Sequence, residues 1–246
     1  MLRRDVAEGV HLVEDAYVNW FLVEDGEALT IVDTGHPRSW ASLREALRSL
    51  RRWPRQIEAI VLTHAHFDHM GFARRAAEDM GIPVWAHEDE VPVTRRPWRY
   101  DHERSRLPYF ANPRFVKIFA AMGAKGALWV KGLESVGTYG PDGHLDVPGR
   151  PRIVFTPGHT HGHCSLHLED RGTVIAGDAL VTLNPYTGSK GPQIVAGAAT
   201  ADSTRALASL DALAATGAQT LLPGHGEPWT QGAAVAADRA RAAGPS

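Results

Sequence analysis

One short stretch constrains this chain more than any other. His64, His66, Asp68 and His69 fall within six residues, directly after the apolar run at 57–62. Neutral imidazoles and a carboxylate are donors of the hardness that suits first-row divalent ions, zinc above all. In an extended strand alternate residues share a face, so His64, His66 and Asp68 would converge only partly, whereas a tight loop there lets all four donors point inward. Four donors from one segment exceed what a single tetrahedral ion takes when other segments also contribute. The surplus predicts two ions.

Other segments do contribute. Thr156-Pro157-Gly158-His159, Ile175-Ala176-Gly177-Asp178 and Leu222-Pro223-Gly224-His225-Gly226 each place one ligand-type residue just past an apolar run, after a glycine. A glycine there allows a sharp turn and a close backbone approach. Loops at strand ends are also where an α/β scaffold presents its chemistry.

The pattern between these motifs supplies the scaffold. The first 33 residues read as strands, with 17–23 and Ala28–Val32 rich in β-formers around the turn at 24–27. Apolar residues at helical spacing predict a helix over Ser39–Leu50, with Ser39 as its N-cap. A strand over 57–62, a helix over 71–80 ending at Gly81 and a strand over 83–86 follow. Residues 92–140 differ: Pro92, Pro97, Pro108 and Pro113 interrupt aromatics interleaved with charges. This segment reads as a partly helical insertion over the open face, too small in core to stand alone. Strands are then predicted at 144–147, 153–156, 165–168 and Thr173–Gly177, with a hairpin through 169–172. A helix over 201–215, a strand over 219–222 and a helix over 233–242 complete a single domain, 1–246, of two facing α/β halves.

With these residues in view, the chain resembles the metallo-β-lactamase superfamily. The motifs at 63–69 with Gly71, 156–159, 177–178 and 223–226, with Val32-Asp33-Thr34-Gly35 upstream, are similar to that family's successive motifs and span nearly the whole chain. The resemblance implies an α/β (α+β) fold, a four-layer αββα sandwich with a dinuclear site at one sheet edge. It implies that His64, His66 and His159 hold one metal, that Asp68, His69 and His225 hold the second, and that Asp178 bridges them. Asp33 would orient a ligand histidine or its loop. His163 reads as a structural hydrogen-bonder, His87 as a supporting residue, and His161 as facing either pocket or solvent. Two divalent ions, zinc with iron or manganese as alternatives, would then share a hydroxide that attacks a small ester, thioester or lactone, with Asp68 and Asp178 in the catalytic machinery.

Composition narrows the partners. The net charge is −2 and no block of Lys or Arg stands out, so nucleic acid is a poor partner and a small-molecule substrate a good one. The single Cys164 excludes an internal disulfide. No leader-like segment or 18-residue apolar stretch occurs, which points to a cytoplasmic chain with no membrane partner. A homodimer is the assembly common among members of the superfamily, although nothing in the sequence identifies an interface.

Subclass is read from departures. True β-lactamases generally lack the bridging Asp, which here is Asp178. Glyoxalase II enzymes share the seven positions but add a C-terminal helical extension, and only about twenty residues follow His225. Lactonases of this fold carry a tyrosine three residues after the bridging Asp, where this chain has Val181, with Tyr186 a little beyond. Trp98, Tyr100, Tyr109 and Phe110 of the insertion either form its own small core or wall an apolar pocket above the metals. Two other functions fit the motifs: a persulfide dioxygenase using one iron on His64, His159 and Asp178, and a non-catalytic binding protein of the same fold.

Overall fold

Residue alternation dictates the layering. The computed structural model describes residues 1–246. Seven strands form the first sheet in sequence order: β1 (Leu2–Ala7), β2 (Val10–Asp15), β3 (Val18–Asp25), β4 (Ala28–Val32), β5 (Ile57–Val61), β6 (Val84–His87) and β7 (Gly137–Tyr139). The first four pair antiparallel, and β4 to β7 run parallel. On β3, Trp20 and Leu22 pack toward the helices while Phe21 and Val23 enter the inter-sheet core. Because both faces are covered, β5 reads as a nearly continuous apolar run.

The second sheet has the order β13 (Thr220–Pro223), β10 (Thr173–Gly177), β9 (Cys164–Leu168), β8 (Arg152–Phe155). Ile175 and Leu222 face the inter-sheet core, whereas Val174, Ala176 and Leu221 face outward. Helices α1 (Ser39–Leu50) and α2 (Ala73–Met80) cover the first sheet, and α5 (Ser203–Ala214) and α6 (Ala233–Ala243) cover the second. The result is the expected four-layer αββα arrangement. The insertion is partly helical, with a short α3 (Val91–Arg95) and a longer α4 (Pro113–Ala124). No helix is long and apolar enough to cross a membrane.

The structure departs from the sequence reading at three places. Residues 144–147 form no strand: the N–H of Val147 bonds back to Leu145 O, folding the backbone on itself, and only a bridge from His144 to Arg152 remains. Their apolar pattern arises because Leu145 and Val147 still fill the inter-sheet core. Ser39 is not a cap but the first residue of α1, and its Oγ accepts from the His36 N–H at 3.2 Å. The third concerns the stretch after Asp178, where a small hairpin of β11 (Val181–Leu183) and β12 (Lys190–Gln193) was not anticipated. Gly188 and Gly191 there hide the strand pattern.

Candidate metal centre

Five strand ends deliver the site. Asp33 follows β4, residues 63–69 follow β5, His159 lies in the β8–β9 loop, Asp178 follows β10 and His225 follows β13. All seven candidate ligands converge here and all are buried, Asp68 being the most exposed at 7%. Their nitrogen and oxygen atoms fall into compact groups. Those of His64, His66 and His159 lie within 4.8 Å of one another, as do those of Asp68, His69 and His225. Asp178 stands between the groups: one carboxylate oxygen is 3.5 Å from His159 Nε2 and 3.2 Å from His225 Nε2, and the other is 3.5 Å from His69 Nε2.

The surrounding hydrogen bonds fix which ring nitrogen is free. His69 Nδ1 donates to Asp33 Oδ2 at 3.0 Å, and His225 Nδ1 donates to the Tyr17 carbonyl at 2.7 Å. The Thr200 hydroxyl donates to Val195 O, so its oxygen accepts from His159 Nδ1 at 3.3 Å. Asp33 also accepts from the Thr63 N–H and hydroxyl, each at 2.8 Å, leaving Thr63 Oγ1 to accept from His64 Nδ1 at 3.1 Å. Each network leaves Nε2 with its lone pair directed inward, the tautomer a metal requires. Buried Nε2 atoms of His64, His66 and His69 and Oδ1 of Asp178 have no hydrogen-bond partner. A buried polar atom without a partner is costly, so the Nε2 atoms of His64 and His69 with Asp178 Oδ1 fit a site built around divalent ions, toward which His66 turns its Nδ1, 3.0 Å from His159 Nε2.

His163 is excluded from that set by the same accounting. Its Nε2 accepts from the Asp178 N–H at 3.0 Å and its Nδ1 meets Thr156 Oγ1 at 2.9 Å, so both nitrogens are used. It holds Asp178 in place, as its structural reading anticipated. His161 faces solvent and pairs with Asp101 at 2.9 Å. His87 stacks on Phe155 and accepts from the Asp89 N–H.

Charge follows from burial and neighbours. Burial alone would raise Asp178 and Asp68, but His225 and His69 beside them hold both carboxyls well below the usual range. Burial lowers His64 and His66 strongly and takes His159 to about 4. Burial opposes protonation of His69 as well, yet Asp178, Asp68 and Asp33 raise it to about 8, and His225 also moves up. Without metal the centre therefore joins a neutral three-histidine half to a half in which two carboxylates hold two histidines toward their protonated form, protons that a bound cation would displace.

Above it lies a cavity of about 20 Å³, with room for about one water. Its walls include Tyr100, Phe115, Phe119, Met122 and Tyr186 beside His66, Asp68 and His159. Of the four insertion aromatics named from sequence, only Tyr100 lines it, its ring tilted by 31° against His66 with ring centres 3.7 Å apart. Trp98 stacks on Phe67 at 3.8 Å, Tyr109 packs on Tyr186, and Phe110 is largely exposed. Sequence reasoning also missed Thr200 and Glu90, whose partners at the site, His159 for the first and Ala65 and Gly162 for the second, lie far along the chain and leave no local signal.

The motif order and geometry find their counterpart in a family model. The model of the metallo-beta-lactamase superfamily matches residues 13–225. The chain belongs to the metallo-β-lactamase superfamily. Among relatives, it is 26% identical over 238 residues to the probable metallo-hydrolase YflN of Bacillus subtilis, covering 92% of this chain and 87% of that one. It is 30% identical to a hydroxyacylglutathione hydrolase of Gloeobacter violaceus over 176 residues, covering 70% of this chain but only 51% of that protein. Among solved structures, the metallo-beta-lactamase family protein TTHA1429 of Thermus thermophilus superposes with a TM-score of 0.68 at 27% identity, covering 94% of this chain and 78% of that one. TTHA1623, solved in a di-iron-bound form, gives 0.62 at 25% identity, with 89% and 93% covered. Superfamily membership places this chain among metallo-hydrolases.

Proposed function

We propose that this chain hydrolyses a small organic ester, thioester or lactone at a dinuclear centre. His64, His66 and His159 would hold one ion, Asp68, His69 and His225 the other, and Asp178 would bridge them. The observation that carries this reading is the position of Asp178, whose two oxygens reach histidines of both groups. A pair of bound divalent ions, zinc by preference, would supply Lewis acidity and a water acidified toward neutrality.

The chain's own residues supply the rest. Asp68 and Asp178 stay ionised, so they offer negative charge to cations, and Asp68, in the cavity wall, can accept a hydrogen bond that orients the reacting water. Tyr186, pushed by burial to about 12, keeps its hydroxyl proton and can donate it to a substrate oxygen. The aromatic and aliphatic walls suit an uncharged, compact acyl group and keep bulk water out.

Metal content of protein purified without added metal or chelator tests this first. About two zinc ions per chain, with turnover of short-chain esters, thioesters or lactones that chelation abolishes, is expected. A single iron per chain with oxygen consumption on a persulfide would replace the hydrolytic reading with an oxidative one. Tight metal binding without turnover across the panel would leave a binding protein.

A further inference from the structure

Glu90 ends the single 3₁₀ turn Glu88–Glu90 that follows β6, and it is only 1% exposed. Its two oxygens point to different places. Oε2 accepts from the Ala65 N–H at 2.8 Å, and Oε1 accepts from the Gly162 N–H at 2.9 Å. Ala65 lies between His64 and His66, and Gly162 lies three residues beyond His159. One carboxylate thus ties together the two loops that carry the three-histidine group, which are almost a hundred residues apart in sequence.

The packing around this tie is close. A Cβ at Gly162 would stand 2.9 Å from His87 Nδ1 and 3.0 Å from both Asp89 Cβ and Glu90 Cγ. The 159–163 loop therefore lies flush on the 87–90 segment, with no room for a side chain between them. An apolar residue in place of Glu90 would be cheaper to desolvate, but it would leave two buried N–H groups unpaired in the very loops that present the histidines. Burial raises the Glu90 carboxyl, and the two N–H groups draw it back down.

We propose that Glu90 is a positioning residue for the three-histidine half of the centre, clasping its two loops into register so that His64, His66 and His159 bind metal together. The inference rests on the metal-centre reading and extends it to a residue that touches no metal. It predicts an asymmetry: the His64/His66/His159 set depends on Glu90, while the Asp68/His69/His225 set, oriented by Asp33 and the Tyr17 carbonyl, does not.

The test is zinc titration of the stripped full-length protein against a chromophoric chelator, with circular dichroism as a check on folding. In Glu90→Gln the amide nitrogen faces one of the two N–H donors. One of the two zinc sites should then weaken about 10- to 100-fold while the other holds its wild-type affinity. Gly162→Ala, which forces the loop off the clasp, should weaken the same site, and it carries the test if Glu90→Gln does not fold. A purely structural role would lower thermal stability and leave the two affinities unchanged, or lower both alike. Either result in a folded variant overturns the proposal. Wild-type protein that takes up no zinc, iron or manganese would instead remove the metal centre itself, and the role of Glu90 with it.

Discussion

Replacing Asp33 with Asn keeps shape but reverses one hydrogen-bonding atom, and its consequences can be followed through the site. Asn tolerates the positive φ of 59° at this position, so the backbone need not move. Asp33 Oδ1 still has its counterpart for the Thr63 N–H, but an amide NH₂ now stands where Oδ2 accepted from His69 Nδ1 and the Thr63 hydroxyl. His69 must shift its proton to Nε2 to accept from that amide. The Thr63 hydroxyl must turn away and donate to His64 Nδ1, which moves the His64 proton to Nε2 as well. Both inward lone pairs are lost. Restoring them for a metal breaks a hydrogen bond formerly made to a charged group, worth about 1.5–3 kcal/mol, or roughly a 10- to 100-fold loss of affinity. The metal-free fold should lose only about 1–3 kcal/mol, since the rearranged network is still bonded. Chelator competition with zinc and a urea melt of stripped protein measure the two effects separately. An Asp33→Asn protein that binds zinc as tightly as wild type would refute the tautomer argument.

Two further perturbations act on the same centre. A Cβ at Gly224 would lie 2.2 Å from Asp178 Oδ1 and 2.8 Å from His69 Cε1, so Gly224→Ala should displace Asp178 and abolish tight binding of a second ion while costing about 1–3 kcal/mol of stability. Metal analysis of the folded variant decides it; two retained ions would contradict the placement of Asp178. The stripped protein should also show a stability maximum near pH 6.5. His36 and His159, held near 4 by burial, contribute stability that is present above the unfolded value of 6.5 and lost as pH falls toward 4. His69, raised to about 8, contributes stability that is complete below 6.5 and lost as pH rises through 8. Denaturant melts across pH 4–9 would show both limbs, and stability still climbing between pH 6.5 and 8 would count against the assignment of His69.

How much of this was legible beforehand depended on whether the cause was local. The β-formers of 17–23 and the apolar run of β5 announced the sheets, and the donors at 64, 66, 68 and 69 announced the centre, because each is written in consecutive residues. The 144–147 segment misled because burial of Leu145 and Val147 imposes a strand-like pattern on a backbone that hydrogen-bonds to itself. Glu90 was invisible for the opposite reason. Its partners, Ala65 and Gly162, lie 25 and 72 residues away, and nothing around it distinguishes a clasping carboxylate from a solvated one. Tyr100 was named among the insertion's aromatics, but only tertiary packing separates it from Trp98 and Phe110.

The support beneath His225 ties the beginning of the chain to its far end. Asn19 donates its backbone N–H to Gly224 O and its side-chain amide to Pro223 O and Gly226 O, while the Tyr17 carbonyl orients the His225 ring. These contacts span more than 200 residues, the kind that close late in folding because the entropy of such a long loop opposes them. The Asp68/His69/His225 half of the centre thus comes into being only when β13 has docked against the β2–β3 turn. An ion bound there would act as a rivet between the first strands made and the last, drawing the equilibrium toward the completed fold by mass action. Metal supply would then govern how long the finished chain survives as well as what it can do.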